Sequence, residues 1–161
     1  MASTLTVDNI VGATAAAKVH ITGHVVQVVS ASYSTQVVNS SNVLADTGLT
    51  ATISPISANS KILVVVHQNG GYKSTGAAGS GINLILKRGS TTISTISSAT
   101  GYSNQNINFY PATVSIGYLD SPATTSATTY KTKFRNDANS SQVRFQISST
   151  VSTMTLMEIS Q

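Results

Sequence analysis

The chain has 161 residues, a net charge of +4, and no cysteine or tryptophan. That length suits one domain with a proper core. The lack of cysteine excludes disulfides and thiolate metal sites. Charged residues make up only 9%, against roughly 25% in ordinary soluble domains, so the weak positive field argues against a nucleic-acid binder, which needs a denser basic patch.

Ser and Thr supply roughly three residues in ten, and β-branched residues dominate, which favours strands. No apolar run reaches 18 residues, so no membrane insertion is expected. The first ten residues, "MASTLTVDNI", lack a basic-then-apolar secretory leader. Residues 1–23 differ from the rest. A short β-like piece at Leu5–Ile10 precedes an alanine run long enough for one helical turn. This stretch is expected to be an extended arm that docks on a partner.

From residue 24 the strands come quickly. "HVVQVVSASYS" is apolar on both parities. "GLTATIS" alternates, with Leu49, Ala51 and Ile53 on one side. "KILVVVHQ" is again apolar on both faces. "GINLILKR" points Ile82, Leu84 and Leu86 inward, with Ile85 as an exception, and "TTISTIS" is weaker. "TVSIGYLD" points Val114, Ile116 and Tyr118 one way. "TTYKTKFRN" points Tyr130, Thr132 and Phe134 inward, and "QVRFQIS" does so with Val143, Phe145 and Ile147. In the closing stretch "TVSTMTLMEISQ", Val151, Thr153, Thr155, Met157 and Ile159 share one face, and Met154 and Leu156 share the other with Ser152 and Glu158. Stretches such as "SPISANS", "NGGYKSTGAAGSG" and "NDANSS" supply the turns. Eight to ten short strands at this spacing predict an all-β protein: an antiparallel β-sandwich of jelly-roll type over 24–161, preceded by the arm over 1–23.

One face of a sandwich strand meets the core and the other meets water. Strands apolar on both faces need a second cover: sister subunits around a threefold axis would provide one, and a central place in one thick core is the alternative. Parity does not say which face is which. Met154, Leu156, Val64 and Val66 are assigned to the oligomer interface.

Few residues offer chemistry. His20 and His24 have a zinc-like spacing, but Gly23 breaks any helix between them and no third ligand is near. No metal or other cofactor is expected, unless one histidine sits on a threefold axis and meets its own copies. The five acids show no pairing of the kind a glycosidase needs. No serine elbow or phosphate-binding loop is present. The chain is therefore expected to be non-enzymatic. The loops 68–81 and 100–110 carry Gly, Tyr, Asn and Ser, which suit binding on a rigid scaffold. Their candidate ligand residues are Gln68, Asn69, Tyr72, Lys73, Tyr102, Asn104 and Tyr110. Lys131, Lys133, Arg135 and Arg144 are expected to form an outward basic face on two adjacent strands.

Four stretches, "STLTVDNIVGATAAAKVHITGHVVQVV", "DTGLTATISPISANSKILVVV", "LDSPATTSATTYKTKFRN" and "STMTLMEIS", are spread over nearly the whole chain. In these the chain resembles short tail-fibre-like virion structural proteins of marine and freshwater bacteriophages. The closing pattern is also similar to trimeric C1q/TNF-like jelly rolls. The resemblance carries over no catalytic residue. It implies a homotrimer made in the bacterial cytoplasm and displayed on the virion, on tail or capsid. The arm would hold other virion proteins, and the loops would meet a host-surface glycan. A capsid decoration protein is the alternative within the same class, and a polysaccharide-degrading spike is the enzymatic one. Unlike a long fibre, this chain has no extended shaft.

Overall fold

Alternation decides most of the architecture. In the strand Ala45–Ile53, Leu49, Ala51 and Ile53 are buried while Thr50 and Thr52 face water. The computed structural model describes residues 21–74, 79–137 and 142–161. Among these, eleven strands are present: β1 (Val25–Tyr33), β2 (Val37–Asn39), β3 (Ala45–Ile53), β4 (Lys61–Asn69), β5 (Tyr72–Lys73), β6 (Ser80–Arg88), β7 (Thr91–Ser103), β8 (Thr113–Asp120), β9 (Thr128–Asn136), β10 (Val143–Phe145) and β11 (Ser152–Ile159). All pairings are antiparallel.

Eight strands build two four-stranded sheets, ordered β1-β11-β4-β8 and β3-β9-β6-β7. Numbered one to eight along the chain, they run 1-8-3-6 in one sheet and 2-7-4-5 in the other. This is a jelly roll, as the alternation predicts. The short strands β2, β10 and β5 form a third small sheet at one end. Two expected details differ. "TTISTIS" belongs to the longest strand, β7, and "QVRFQIS" keeps only three strand residues before a 3₁₀ turn at Ile147–Ser149. The expected arm lies outside the described residues except for Ile21–Gly23, where the Gly23 N–H donates to Ser160 O at 2.8 Å.

The main core packs Leu49, Ile53, Ile62, Val64, Val66, Leu86, Tyr130, Met154 and Leu156 between the sheets. A second cluster of Ile82, Leu84, Phe134, Val143 and Phe145 fills the end beneath the small sheet, with the Phe134 and Phe145 rings edge to face at 5.4 Å. Burial of this kind is the dominant favourable term in folding. It also corrects the interface assignment. Met154, Leu156, Val64 and Val66 are each fully buried inside one chain. They fill the sandwich, and the opposite parity of β4 and β11 faces out.

Polar side chains close the core at both ends. Near the small sheet, Thr47 and Thr132 hydroxyls lie 2.5 Å apart, Thr132 Oγ1 donates to Gln68 Oε1, and Gln68 Nε2 donates to Ser152 Oγ at 3.0 Å. Gln146 Nε2 donates to the same hydroxyl at 2.8 Å. At the other end, Glu158 accepts from the N–H groups of Ile56 and Ser57 and from Gln27 Nε2. Burial pushes the Glu158 carboxyl up, but these bonds, with one from Ser60, outweigh it and hold the group below its usual range. Asp120 accepts from both Arg88 Nη1 and Tyr130 Oη, tying β8 in one sheet to β6 and β9 in the other. Burial and then the Asp120 carboxylate push the Tyr130 phenol up.

Candidate functional site

Two surfaces stand out, a groove at one end of the sandwich and the outer face of one sheet. The first is a groove built where β4, β8 and β11 meet the small sheet. Gly70 turns the chain after β4 with φ +64°, and a Cβ there would lie 2.0 Å from Thr150 Oγ1. Only glycine fits this close approach. The turn is fastened by Gly70 N–H to Ala112 O and Gln146 N–H to Asn69 O, each at 3.0 Å. Facing it, Gln146, Ser148 and Ser149 all adopt positive φ, between 52° and 57°. Three non-glycine residues in this region within one turn is a costly arrangement of the sort that clusters at functional sites.

Two adjoining clefts result. The larger, about 530 Å³, is lined by Asn69, Gly70, Gly71, Tyr110, Ala112, Thr113, Ile147, Ser148, Thr150 and Val151. The smaller, about 260 Å³, is lined by Gln36, Tyr72, Tyr110, Arg144, Ile147 and Ser148. Tyr110 stands between them, 63% exposed. Its ring lies 4.9 Å from that of Tyr72, and the Arg144 guanidinium lies 5.2 Å from the Tyr72 ring centre, within cation–π range. Asn69 braces the floor, donating to Val151 O at 2.6 Å and accepting from Thr113 Oγ1 at 2.7 Å.

The groove unites Asn69, Tyr72, Tyr110 and Arg144 from the sequence-predicted set. Tyr102 and Asn104 are exposed but outside both clefts. Gln68 and Lys73 are corrections: both are fully buried. Gln68 continues the inner face of β4 into the polar network. Lys73 points away from Tyr72 to the interior side of β5, its Nζ has no hydrogen-bond partner among the described residues, and burial lowers its pKa. The expected basic face also divides. Lys131, Lys133 and Arg135 lie on β9, where both lysines approach Asp46 and Arg135 approaches Asp137. Arg144 lies on β10 in the small sheet, which does not pair with β9. Sequence reasoning missed Gln36, Ile147, Ser148, Thr150 and Val151. The adjacent Gly70 and Gly71 were the one visible hint of a tight turn there.

The second surface is the outer face of the β1-β11-β4-β8 sheet. Register places Val28, Met157, Leu63 and Leu119 in one row across all four strands. Ile159 and the exposed Val25 and Val26 extend this row toward the end away from the groove. Beyond it come Ser30, Thr155, Val65 and Gly117, then Ser32, Thr153, His67 and Ser115. The face thus grades from apolar to hydroxyl-rich as it nears the groove. Its one lysine is Lys61 at the apolar end, and it carries no acid. Val28 is 57% and Leu119 49% exposed.

Asp120 and Glu158 share a row with Ile62 between them, facing the interior, and each is already held by donors. Among the described residues no group of three His, Cys, Asp or Glu is placed to hold a metal.

The fold and its two surfaces define a jelly roll with an apolar flank and a grooved tip. Among solved structures it is similar to VP2 of infectious bursal disease virus. It matches the VP2 subviral particle with a TM-score of 0.51 and 11% identity, over 83% of this chain and 32% of that one. It matches the Gx strain structure with a TM-score of 0.50 and 10% identity, over the same shares. The chain spans about a third of those VP2 chains, and at this identity the likeness is one of fold. No family model matches the chain, and no curated protein matches it.

Proposed function

We propose that this chain is a non-enzymatic virion structural protein of a bacteriophage. It packs against copies of itself through the apolar part of the outer sheet face and presents the groove to a host-surface glycan. The carrying observation is the row Val28–Met157–Leu63–Leu119, an apolar band on the sheet face turned away from the core, in which Val28 and Leu119 are exposed among the described residues. The largest apolar patch on a folded domain, typically a few hundred Å², is often an interaction site. Strand and row spacings give this patch roughly 300 Å², short of the roughly 800 Å² per partner of a standard interface. The contact therefore extends onto the hydroxyl rows of Ser30 and Thr155, which carry no charge to desolvate. A second copy is the natural occupant, because a face with no acid and a single lysine at its edge gives a strongly charged partner little to pair with. Three copies around an axis would place the grooves together at one end. The tail-fibre-like phrasing of the sequence supports the phage setting, with residues 1–23 docking on the particle.

Placement as a capsid decoration is the second reading. It is favoured by the likeness to a protein whose structure is that of a subviral particle. Light scattering on the full chain tests the proposal. The wild type is expected at three times the chain mass, and the Leu63→Ser/Met157→Ser variant at one. A monomeric wild type would remove the interface.

A further inference from the structure

The groove carries more than aromatic surface. Its cation, Arg144, has no counter-ion among the described residues. Of the three arginines, Arg88 is bound by Asp120 and Arg135 approaches Asp137. Arg144 has no carboxylate within ion-pair distance among the described residues. The acids available to it are few and committed: Asp46 to Lys131 and Lys133, Asp120 to Arg88 and Tyr130, Asp137 to Arg135, and Glu158 to backbone N–H groups. The fifth acid, Asp8, lies outside the described residues.

Arg144 is nonetheless held in place. Its guanidinium packs over Tyr72, Nη2 donates to Gln142 Oε1 at 2.7 Å, and Nε is buried with no partner among the described residues. Tyr72 is fixed in turn by donating its hydroxyl to Asn108 Oδ1 at 2.9 Å. A planar guanidinium pre-ordered against a ring offers its remaining N–H groups to a carboxylate with little further ordering cost. Beside it the exposed Tyr110 ring forms a wall shared by both clefts. A sugar ring presents one apolar face, which suits an aromatic wall, and hydroxyls, which suit Gln36 and Ser148 in the smaller cleft.

We infer that the smaller cleft takes an anionic saccharide, with the sugar ring against Tyr110 and its acid group on Arg144. This rests on the reading of the groove as a glycan site and names the class of glycan. Two terms act together: stacking, which any pyranose satisfies, and a charge-assisted contact, which requires the acid. They separate by mutation and by choice of probe.

The experiment is an NMR titration of the full chain with methyl β-D-glucuronide, methyl β-D-glucoside and sodium acetate. The glucuronide is expected to bind about tenfold more tightly than the glucoside, with acetate failing to compete at equal concentration. Arg144→Gln should bring the glucuronide down to the glucoside's affinity, and Tyr110→Ala should weaken both sugars. Arg144→Lys, which keeps the charge but not the fork, should lose most of the preference and serves if Arg144→Gln folds poorly. Equal binding of the two sugars overturns the acidic class while leaving a glycan groove. Acetate competing as well as the glucuronide overturns the saccharide and leaves an anion site. Binding of neither sugar removes both this inference and the glycan reading.

Discussion

Leu156→Ala is the sharpest probe of which face of β11 is inside. Leu156 is fully buried, with Val29 and Val64 as its neighbours on the flanking strands. Truncation removes three carbons from the centre of the main cluster, where the facing sheet is held by its own hydrogen bonds and cannot collapse into the space. Leucine-to-alanine changes at such sites cost about 3 kcal/mol within a wide range. For a domain of this size that lowers Tm by roughly 6–12 °C. The neighbouring substitution Met157→Ala changes a half-buried side chain on the outer face and should cost less than about 1 kcal/mol in the monomer. The assay is thermal unfolding followed by circular dichroism, at protein concentrations low enough to suppress association. A Tm for Leu156→Ala within 2 °C of wild type, or equal losses for the two variants, would refute the assignment of faces.

Four further outcomes follow from the buried polar groups. Glu158 has a depressed pKa in the folded chain, so its contribution is complete above its unfolded value, near 4.3, and is lost as pH falls from there through the folded value; in Glu158→Gln the fall of Tm below pH 4.5 should be shallower than in wild type. Asp120→Asn should cost about 2 kcal/mol by leaving Arg88 without its anion, and Tyr130→Phe about 1 kcal/mol, both read from urea midpoints. Lys73→Met should raise stability by about 1 kcal/mol, because the buried ammonium has no partner among the described residues to offset its desolvation; a lower urea midpoint would show that Lys73 is paired in solution.

The strands with clean alternation were legible. Leu49, Ala51, Ile53, Ile82, Leu84, Leu86, Tyr130, Thr132, Phe134, Val143 and Phe145 are all buried as their parity indicates. Parity failed on β4 and β11, where apolar residues fill both faces. There the polar residues misled. Gln68, Ser152 and Glu158 lie on the inner face because the two ends of the core are closed by hydrogen bonds from distant segments, including the Ile56 and Ser57 N–H groups. Sequence polarity cannot reveal a partner a hundred positions away. The groove was half legible for the same reason. Tyr72 and Tyr110 showed as loop aromatics, but Arg144 was grouped with β9 because sequence proximity suggested it. Its true neighbour, Tyr72, is set by the β5–β10 pairing.

Copies meeting across the outer sheet face can be measured directly, because the chain has no cysteine of its own. Leu63→Cys places one thiol in the apolar row, and Thr52→Cys places one on the exposed side of the other sheet. Rates of alkylation by iodoacetamide would be compared across protein concentration. The thiol at 63 is expected to become at least tenfold slower to react as concentration rises, while the thiol at 52 keeps its rate. Equal and concentration-independent rates at both positions would contradict that contact.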